Sequence, residues 1–240
     1  MGVVQHTVQW ETLMPNQQKQ PNQQQPGQQQ PGQSGDPAAM PMSEEAIRAA
    51  NVGAPEILDT RIRIDPYDPA WPLVYEAEAG RIRSELPDAV GLFHAGSTSV
   101  PGLPAKPVLD LVLVVPDPAD EDSYVPRLQR LGYVLAIREP DWYEHRVLKK
   151  SGLSAALPKA NLHVFPPDCA ETARMLRFRD HLRGHAADRD LYGSTKLRLA
   201  AQEWRFMQNY SDAKTEVVAE IMARAERGTA PDPSDGPSSA

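Results

Sequence analysis

The stretch HAGSTSVPGLPAKPVLDLVLVV, residues 94–115, decides the fold of this chain of 240 residues. It contains Val108–Val115, a β-branched apolar run with a single charge inside it, and such a run predicts a buried strand. Val90–His94 predicts another strand, which runs into Gly96. Because glycine has no side chain, the backbone there can approach a ligand closely. The stretch therefore predicts two strands, the first followed by a polar loop able to contact a ligand.

The loop and the second strand carry the residue types of a phosphate site. Ser97, Thr98 and Ser99 supply hydroxyls and backbone N–H groups, which suit phosphate oxygens. Lys106 adds a positive charge. Asp110 lies inside the apolar strand, where a carboxylate is costly unless it is paired or metal-bound, and Mg²⁺ bridging it to a nucleotide phosphate would satisfy it. The alternative is a tight turn with an Asp satisfied by backbone donors or an Arg, and the residue types favour neither interpretation.

Composition restricts the function classes. The 25 Lys+Arg against 32 Asp+Glu give a net charge of −7, which makes nucleic-acid binding unlikely without excluding a local basic groove. The single cysteine, Cys169, excludes a disulfide framework and a Cys-rich zinc module. No apolar run approaches the roughly 18 residues of a membrane span, and the first residues lack a signal-peptide pattern. We expect a cytoplasmic protein without membrane contact.

Two tails are predicted around one domain. Residues 15–34 contain ten Gln and four Pro and no aliphatic residue. Such a segment cannot bury enough apolar surface to offset its ordering entropy, so residues 1–42 are predicted to be disordered. Residues 228–240 form a second predicted tail by the same reasoning. Residues 43–227 then form one domain.

The remaining segments predict an α+β fold. Apolar residues recur at helical spacing from Trp71 until Pro87, and a shorter helix is predicted from Asp120 to Gly132. Further strands are predicted at Arg61–Ile64, Tyr133–Arg138, His145–Lys149 and Asn161–Phe165. Further helices are predicted at Cys169–Gly184 and at Ser194–Arg227, with a break near Ser211. Strands gathered in the middle with helices on either side predict a mixed sheet flanked by helices.

Histidines and basic residues supply further candidates. His163, on an apolar strand, is either a hydrogen-bonded structural residue or a metal ligand or general base. His94 precedes the turn and would orient it. Arg179 lies on a basic helix that could bind triphosphate, or form a solvated face with Asp180 as partner. Lys196 follows Tyr192 by four residues, a spacing that places ring and charge together.

The segment HAGSTSVPGLPAKPVLDLVL resembles the signature of the GrpB family, whose fold is similar to the nucleotidyltransferase superfamily. The resemblance extends upstream to IDPYDPAWPLVYEAE and downstream to NLHVF, to LRFRDHLRGHAADRDLYGSTKLRLA and to YSDAKTEVVAEI. It covers about Ile62 to Ile221, and it implies a nucleotidyltransferase-like fold that binds a nucleotide and Mg²⁺.

The nucleotidyltransferase pattern consists of a Gly-Ser turn, an Asp-x-Asp strand and a third carboxylate on a later strand. Asp110 matches the first acid, but Val112 stands at the second, and His163 stands where the third is expected. Two-metal transfer needs about three carboxylates, so the predicted acid set is incomplete. The resemblance implies Asp110 and His163 as catalytic residues and Asp110 as the Mg²⁺ ligand. The predicted phosphate-binding residues are Gly96, Ser97, Thr98, Ser99, Lys106, Arg179 and Lys196.

Three functions follow as hypotheses. The first is a nucleotidyltransferase-like enzyme acting on an unknown acceptor. The second is a non-catalytic nucleotide or phosphometabolite module, with Val112 as its best support. Relatives resembling this family occur fused to dephospho-CoA kinase, which implies that kinase as a partner in coenzyme A synthesis. The third, an interaction protein, rests on the Gln/Pro-rich tail alone.

Overall fold

The fold is seen in a computed structural model that describes residues 42–55, 57–58 and 61–227. Both predicted tails, apart from Met42, lie outside the described residues. The described chain forms one five-stranded sheet with helices around it, and the predicted α+β class is confirmed. Within these residues, no helix is both long and apolar enough to cross a membrane.

The helices and strands follow one another along the chain in a fixed order. The strands are β1 Gly91–Ala95, β2 Val108–Val114, β3 Val134–Glu139, β4 His145–Ser151 and β5 Lys159–Phe165. The helices are α1 Glu44–Ala50, α2 Trp71–Glu85, α3 Glu121–Arg130, α4 Ala170–Gly184, α5 Ala186–Ala200, α6 Met207–Asp212 and α7 Thr215–Arg227. Each predicted strand from Val90 onward, and each predicted helix up to Gly184, is present with bounds within two residues of those expected.

The sheet places β2 at the centre of the candidate site. Its strand order is β1-β2-β5-β4-β3, with β2 and β5 parallel and the other neighbours antiparallel. In this register Asp110 lies opposite Ala95 of β1 and opposite Asn161 of β5. Residues opposite each other project from the same face, so the side chains of Asp110 and Asn161 are neighbours.

The two faces of the sheet are covered by different helices. Three leucines of β2 pack into the core that α2 and α3 form, namely Leu109, Leu111 and Leu113. Val112 and Val114 pack into a second core with residues of α4, α5 and α7. We call these the α2 face and the α4 face. Side chains alternate along a strand, so Asp110 belongs to the α4 face together with Val112.

The strand predicted at Arg61–Ile64 is absent, which corrects that prediction. Residues 61–64 are not part of a strand. The next residue, Asp65, forms an isolated β-bridge with Ala105. Ile62 instead packs in a small cluster with Leu199 and Met207. Burial against helices, rather than a neighbouring strand, explains its apolar alternation.

The helix predicted at Ser194–Arg227 is also corrected. Helix α5 begins earlier, and the main break covers residues 201–206. There the backbone N–H of Leu58 donates to the carbonyl of Arg205 at 2.9 Å, so the break accommodates the chain that precedes α2. The predicted break near Ser211 corresponds to the short gap between α6 and α7.

Gly96 begins the turn after β1 in a conformation that requires glycine. Its φ is +66°, in the left-handed region that L-residues rarely adopt. A Cβ atom built on Gly96 would also lie 2.8 Å from the Cβ atom of Asp110 and would collide with its carboxylate. The turn and the buried acid are therefore packed directly against each other.

Gly96→Ala is expected to lower the free energy of unfolding by at least about 1–3 kcal/mol, because the substitution adds backbone strain and a collision with Asp110. Gly80→Ala in α2 is the matched control, since nothing lies within 4 Å of its added Cβ. Alanine there is expected to stabilise the helix by about 0.5–1 kcal/mol. Urea denaturation of both variants measures the difference, and equal stabilities would contradict it.

Candidate functional site

The turn after β1 is held by its own hydroxyls. The Ser99 hydroxyl donates to the carbonyl of Gly96 at 2.5 Å, and the Thr98 hydroxyl lies 3.3 Å from the carbonyl of Val108. His94 Nε2 lies 3.1 Å from Thr98 Oγ1, which agrees with the orienting role expected of this histidine. Burial lowers the pKa of His94 to about 3, so its ring is neutral. Two of the three predicted phosphate-binding hydroxyls thus support the turn.

Two arginines of α4 brace the same turn from outside. Arg179 Nη1 donates to the carbonyl of His94 at 2.9 Å, while its other nitrogens pair with Asp180. Arg183 donates twice to the carbonyl of Ser99, at 3.0 and 2.8 Å. Arg179, predicted to bind phosphate, is placed where its guanidinium anchors the backbone of the turn.

Asp110 is buried beside Asn161. Its Oδ1 accepts a hydrogen bond of 3.0 Å from Asn161 Nδ2. Burial raises the pKa of Asp110, and the positive charge of Lys106 and the Asn161 hydrogen bond oppose that rise. The carboxylate therefore depends on nearby cations to stay ionised.

Three lysines surround this carboxylate, and we call Lys106, Lys196 and Lys214 the lysine cluster. All three interact electrostatically with Asp110. Lys196 Nζ donates to Ser97 Oγ at 2.9 Å and also to the carbonyl of Pro104. The structure thus brings Gly96, Ser97, Lys106, Lys196 and Asp110 together. Lys196 Nζ lies 4.8 Å from the centre of the Tyr192 ring, so the predicted proximity of ring and charge is confirmed.

Lys214 is a member of the cluster that sequence reasoning missed. It is 1% exposed, and its Nζ has no hydrogen-bond partner among the described residues, although it lies 4.3 Å from the centre of the Tyr210 ring. The Tyr210 and Ser211 hydroxyls are also buried and lack partners within the described part of the chain. A buried donor without a partner costs about 1–3 kcal/mol, so Tyr210, Ser211 and Lys214 form an energetically costly polar group within one short segment.

Burial and mutual repulsion oppose the protonation of the lysine cluster. Burial lowers the pKa of Lys106 to about 8, and it holds the pKa of Lys196 and of Lys214 well below the usual lysine value. Repulsion among the lysines adds to this effect for Lys196 and Lys214. Asp110 acts on all three lysines and Asp212 acts on Lys214, so full protonation would place three positive charges against two carboxylates. An anion would balance the difference.

His163 lies on the α4 face beside Val112, in β5. Its Nδ1 is 3.1 Å from His145 Nε2, and His145 Nδ1 is 2.8 Å from Glu139 Oε2. Glu144 pairs with Arg146 in the turn that leads into β4. Across residues 42–55, 57–58 and 61–227, no group of three His, Cys, Asp or Glu side chains is placed to hold a metal ion.

A cavity of about 210 Å³ lies away from this cluster, at the other end of β2. Its lining includes Leu86, Val115, Asp117 and Tyr124 and none of the predicted site residues. The buried charges and partnerless donors, rather than this cavity, mark the candidate site.

Comparison with known proteins matches the GrpB protein family over residues 61–224. The UPF0157 protein BH1888 of Halalkalibacterium halodurans is 50% identical over 186 residues, which cover 77% of this chain and 93% of that protein. The crystal structure of GrpB from Enterococcus faecalis matches with a TM-score of 0.57 and 27% identity, covering 69% of this chain and 98% of that chain.

Two weaker similarities also occur. The dephospho-CoA kinase of Mycolicibacterium paratuberculosis is 37% identical over 93 residues, which cover 35% of this chain and 22% of that protein. The Cid1 poly(U) polymerase bound to MgATP matches with a TM-score of 0.39 and 12% identity over 56% of this chain and 45% of that chain. A structural likeness of this size supports no conclusion about function.

Lys214→Met is expected to stabilise the ligand-free protein by about 1 kcal/mol or more, since it removes a buried amine that lacks a hydrogen-bond partner. The gain should shrink as the pH rises towards the ordinary lysine pKa. The lowered pKa lets folded Lys214 lose its proton before the unfolded chain does, so the stability of the wild type rises with pH there. Chemical denaturation at several pH values measures both effects.

Lys150→Met is the matched control, because Lys150 Nζ lies 2.6 Å from the buried carboxylate of Glu78. Removing one partner of a buried ion pair is expected to destabilise the fold by about 3 kcal/mol. The two substitutions should therefore have opposite signs, and a loss of stability in Lys214→Met would contradict the account of the cluster.

Proposed function

This chain belongs to the GrpB family, and we propose that it binds the polyphosphate of a Mg²⁺-nucleotide in the lysine cluster and transfers a nucleotidyl group to an acceptor hydroxyl or amine. One observation carries the proposal. Lys196 and Lys214 are buried and act electrostatically on Asp110, and Lys214 Nζ with two neighbouring hydroxyls lacks a hydrogen-bond partner among the described residues.

Phosphate oxygens match these groups in charge and in hydrogen bonding. Lys196 and Lys214 supply ammonium donors, and the hydroxyls of Ser97 and Ser211 add neutral donors. Phosphate oxygens accept hydrogen bonds strongly, and those from charged donors are roughly twice as strong as neutral ones. A polyphosphate would therefore satisfy the partnerless donors and neutralise the cluster in one step.

Asp110 and Asn161 fit a bound cation. The Oδ1 atom of Asn161 is buried and has no donor among the described residues, and the carboxylate of Asp110 lies beside it. Mg²⁺ prefers such oxygen ligands together with substrate phosphates. When bound, the cation would neutralise phosphate charge and polarise the reacting phosphoryl group.

The protein's own residues would orient the nucleotide for transfer. Ser97 and Lys196 would hold the phosphates beside the Gly96 turn, which the arginines of α4 keep in place. In the transfer, a bond forms between the acceptor atom and the α-phosphorus while the bond to pyrophosphate breaks. The lysine cluster would stabilise the charge that develops on the leaving pyrophosphate.

A non-catalytic binding module is the second candidate. Val112 is fully buried at the position where the nucleotidyltransferase pattern has its second acid. Glu144, in the turn before β4, pairs with Arg146. The partial similarity to a dephospho-CoA kinase supports a coenzyme A precursor as the ligand and that kinase as the partner. This function uses the same phosphate contacts and differs only in the absence of turnover.

A thermal-stability panel on the full chain tests the binding step, with ATP, CTP, GTP, UTP and dephospho-CoA, each with and without Mg²⁺. A ligand at about 100 times its Kd should stabilise the fold by about 2.7 kcal/mol. Lys196→Met should abolish the shift, and Asp110→Asn should abolish its Mg²⁺-dependent part. Arg130→Met, an exposed residue of α3 paired with Glu85, is the control and should change nothing.

The outcomes separate the candidates. No shift with any of these compounds would contradict phosphate binding in the cluster. A shift accompanied by pyrophosphate release that Asp110→Asn abolishes supports transfer, whereas a shift with no turnover against hydroxyl and amine acceptors favours the non-catalytic module.

Phosphate binding is also expected to take up protons. The ligand-free lysines have lowered pKa values, about 8 for Lys106, and an adjacent anion raises a lysine pKa. The affinity for inorganic tripolyphosphate should therefore fall as the pH rises from 7 to about 9. Titration calorimetry in buffers of different ionisation enthalpy measures the uptake directly, and binding with proton release would contradict the account.

A further inference from the structure

The lysine cluster is closed to solvent. Lys196 and Lys214 are each 1% exposed, and Ser97 and Asp110 are buried with them. These are the side chains that a polyphosphate would have to contact. Because a buried ammonium group cannot reach a ligand in solution, part of the cover over the cluster must move before a ligand binds.

The segments that cover the cluster are anchored to different depths. Helices α5 and α7 contribute buried side chains to the core of the α4 face, among them Tyr192 and Ile221. Residues 207–214, which we call the α6 segment, carry Lys214 and pack through Tyr210 into a separate, smaller cluster. The α6 segment is therefore the part of this cover that can move without opening the core of the α4 face.

Residues 42–52, which we call the strap, lie over the α4 face at β3 and β4. Ile47 is the buried residue of α1, and Ala50 packs against buried apolar side chains of both strands. The backbone N–H of Val52 donates to the carbonyl of Ala136 at 2.8 Å, which fixes this end of the strap to β3. The strap precedes the family match, which begins at residue 61.

The other end of the strap is joined to the α6 segment. The backbone N–H of Met42 donates to Asp212 Oδ2 at 2.9 Å, and Asp212 acts electrostatically on Lys214. Glu44 of α1 forms an ion pair with Arg205, just before α6. The strap thus connects the edge of the sheet to the segment that carries Lys214.

This connection is weak enough to open. The side chains of Glu44 and Arg205 are 46% and 59% exposed, and exposed ion pairs contribute little to stability. Helix α1 has seven residues, and a helix of this length is stable only through its packing. Ile47 provides most of that packing, so its side chain is the main anchor of the strap.

We propose that the strap holds the α6 segment closed over the lysine cluster, and that phosphate reaches Lys196 and Lys214 only after the strap releases Asp212. The inference rests on the proposed function in naming phosphate as the ligand that enters. If only the open form binds, the apparent affinity is the intrinsic affinity multiplied by the open fraction. Loosening the strap should therefore make binding both faster and tighter, whereas loss of an ordinary structural support would weaken it.

Stopped-flow binding of inorganic tripolyphosphate to the full chain, followed by tryptophan fluorescence, tests the strap. The Trp204 ring lies 6.2 Å from that of Tyr210, so it reports on the α6 segment. The wild-type rate should reach a plateau at high tripolyphosphate concentration, because opening limits it. Ile47→Ala should raise this plateau at least about tenfold, and Glu44→Gln up to about fivefold.

Two controls separate release of the strap from general destabilisation. Glu45→Gln alters the same first turn of α1 and should leave the plateau unchanged. Leu128→Ala removes a buried side chain of α3 from the core of the opposite face and should lower stability without raising the plateau. Where Ile47→Ala does not fold, the comparison of Glu44→Gln with Glu45→Gln decides the question.

A plateau that Ile47→Ala leaves unchanged, or that Leu128→Ala raises equally, would overturn the inference. A wild-type rate that rises in proportion to tripolyphosphate concentration would also overturn it. Hydrogen exchange of the ligand-free chain is measured in parallel, and residues 207–214 should exchange faster in Ile47→Ala than in Leu128→Ala. If tripolyphosphate does not bind at all, the proposed function fails, and equal exchange in the two variants would reject the strap separately.

Discussion

The burial of a single carboxylate, that of Asp110, is the constraint on which the site depends. A charge in the middle of a central strand is tolerated only with compensating groups, and here these come from distant parts of the chain. Asn161 donates from the neighbouring strand, the lysine cluster supplies positive charge, and Gly96 is required because no Cβ fits against the acid. The acid thus constrains the turn, the register partner and the three segments that carry the lysines, namely the loop before β2, helix α5 and the connection between α6 and α7.

The compensation exceeds what one carboxylate needs. The lysine cluster sets three amines with depressed pKa values against Asp110 and Asp212, and Lys214 Nζ lacks a hydrogen-bond partner among the described residues. A protein does not keep such groups for stability, because apolar replacements would be more favourable. Under the proposed function, a polyphosphate would satisfy these donors and a cation would bind Asp110 and Asn161.

The sequence predicted the sheet and the turn that follows β1 because both rest on local patterns. The β-branched run of β2, the glycine turn and the helical spacing from Trp71 depend on neighbouring residues. The strand expected at Arg61–Ile64 failed because alternating apolar residues also suit an extended segment packed on helices. Lys214 could not be found, since its burial between α6 and α7 depends on packing between residues far apart in the chain.

The crystal structure of the full chain with inorganic tripolyphosphate and Mn²⁺ is the most direct test of the central claim. The account predicts phosphate oxygens within hydrogen-bond distance of Lys196 Nζ, Lys214 Nζ and the Ser211 hydroxyl, with the metal between the phosphate and Asp110. Phosphate bound only at the exposed arginines of α4, or a cluster whose lysines turn away from the ligand, would contradict it.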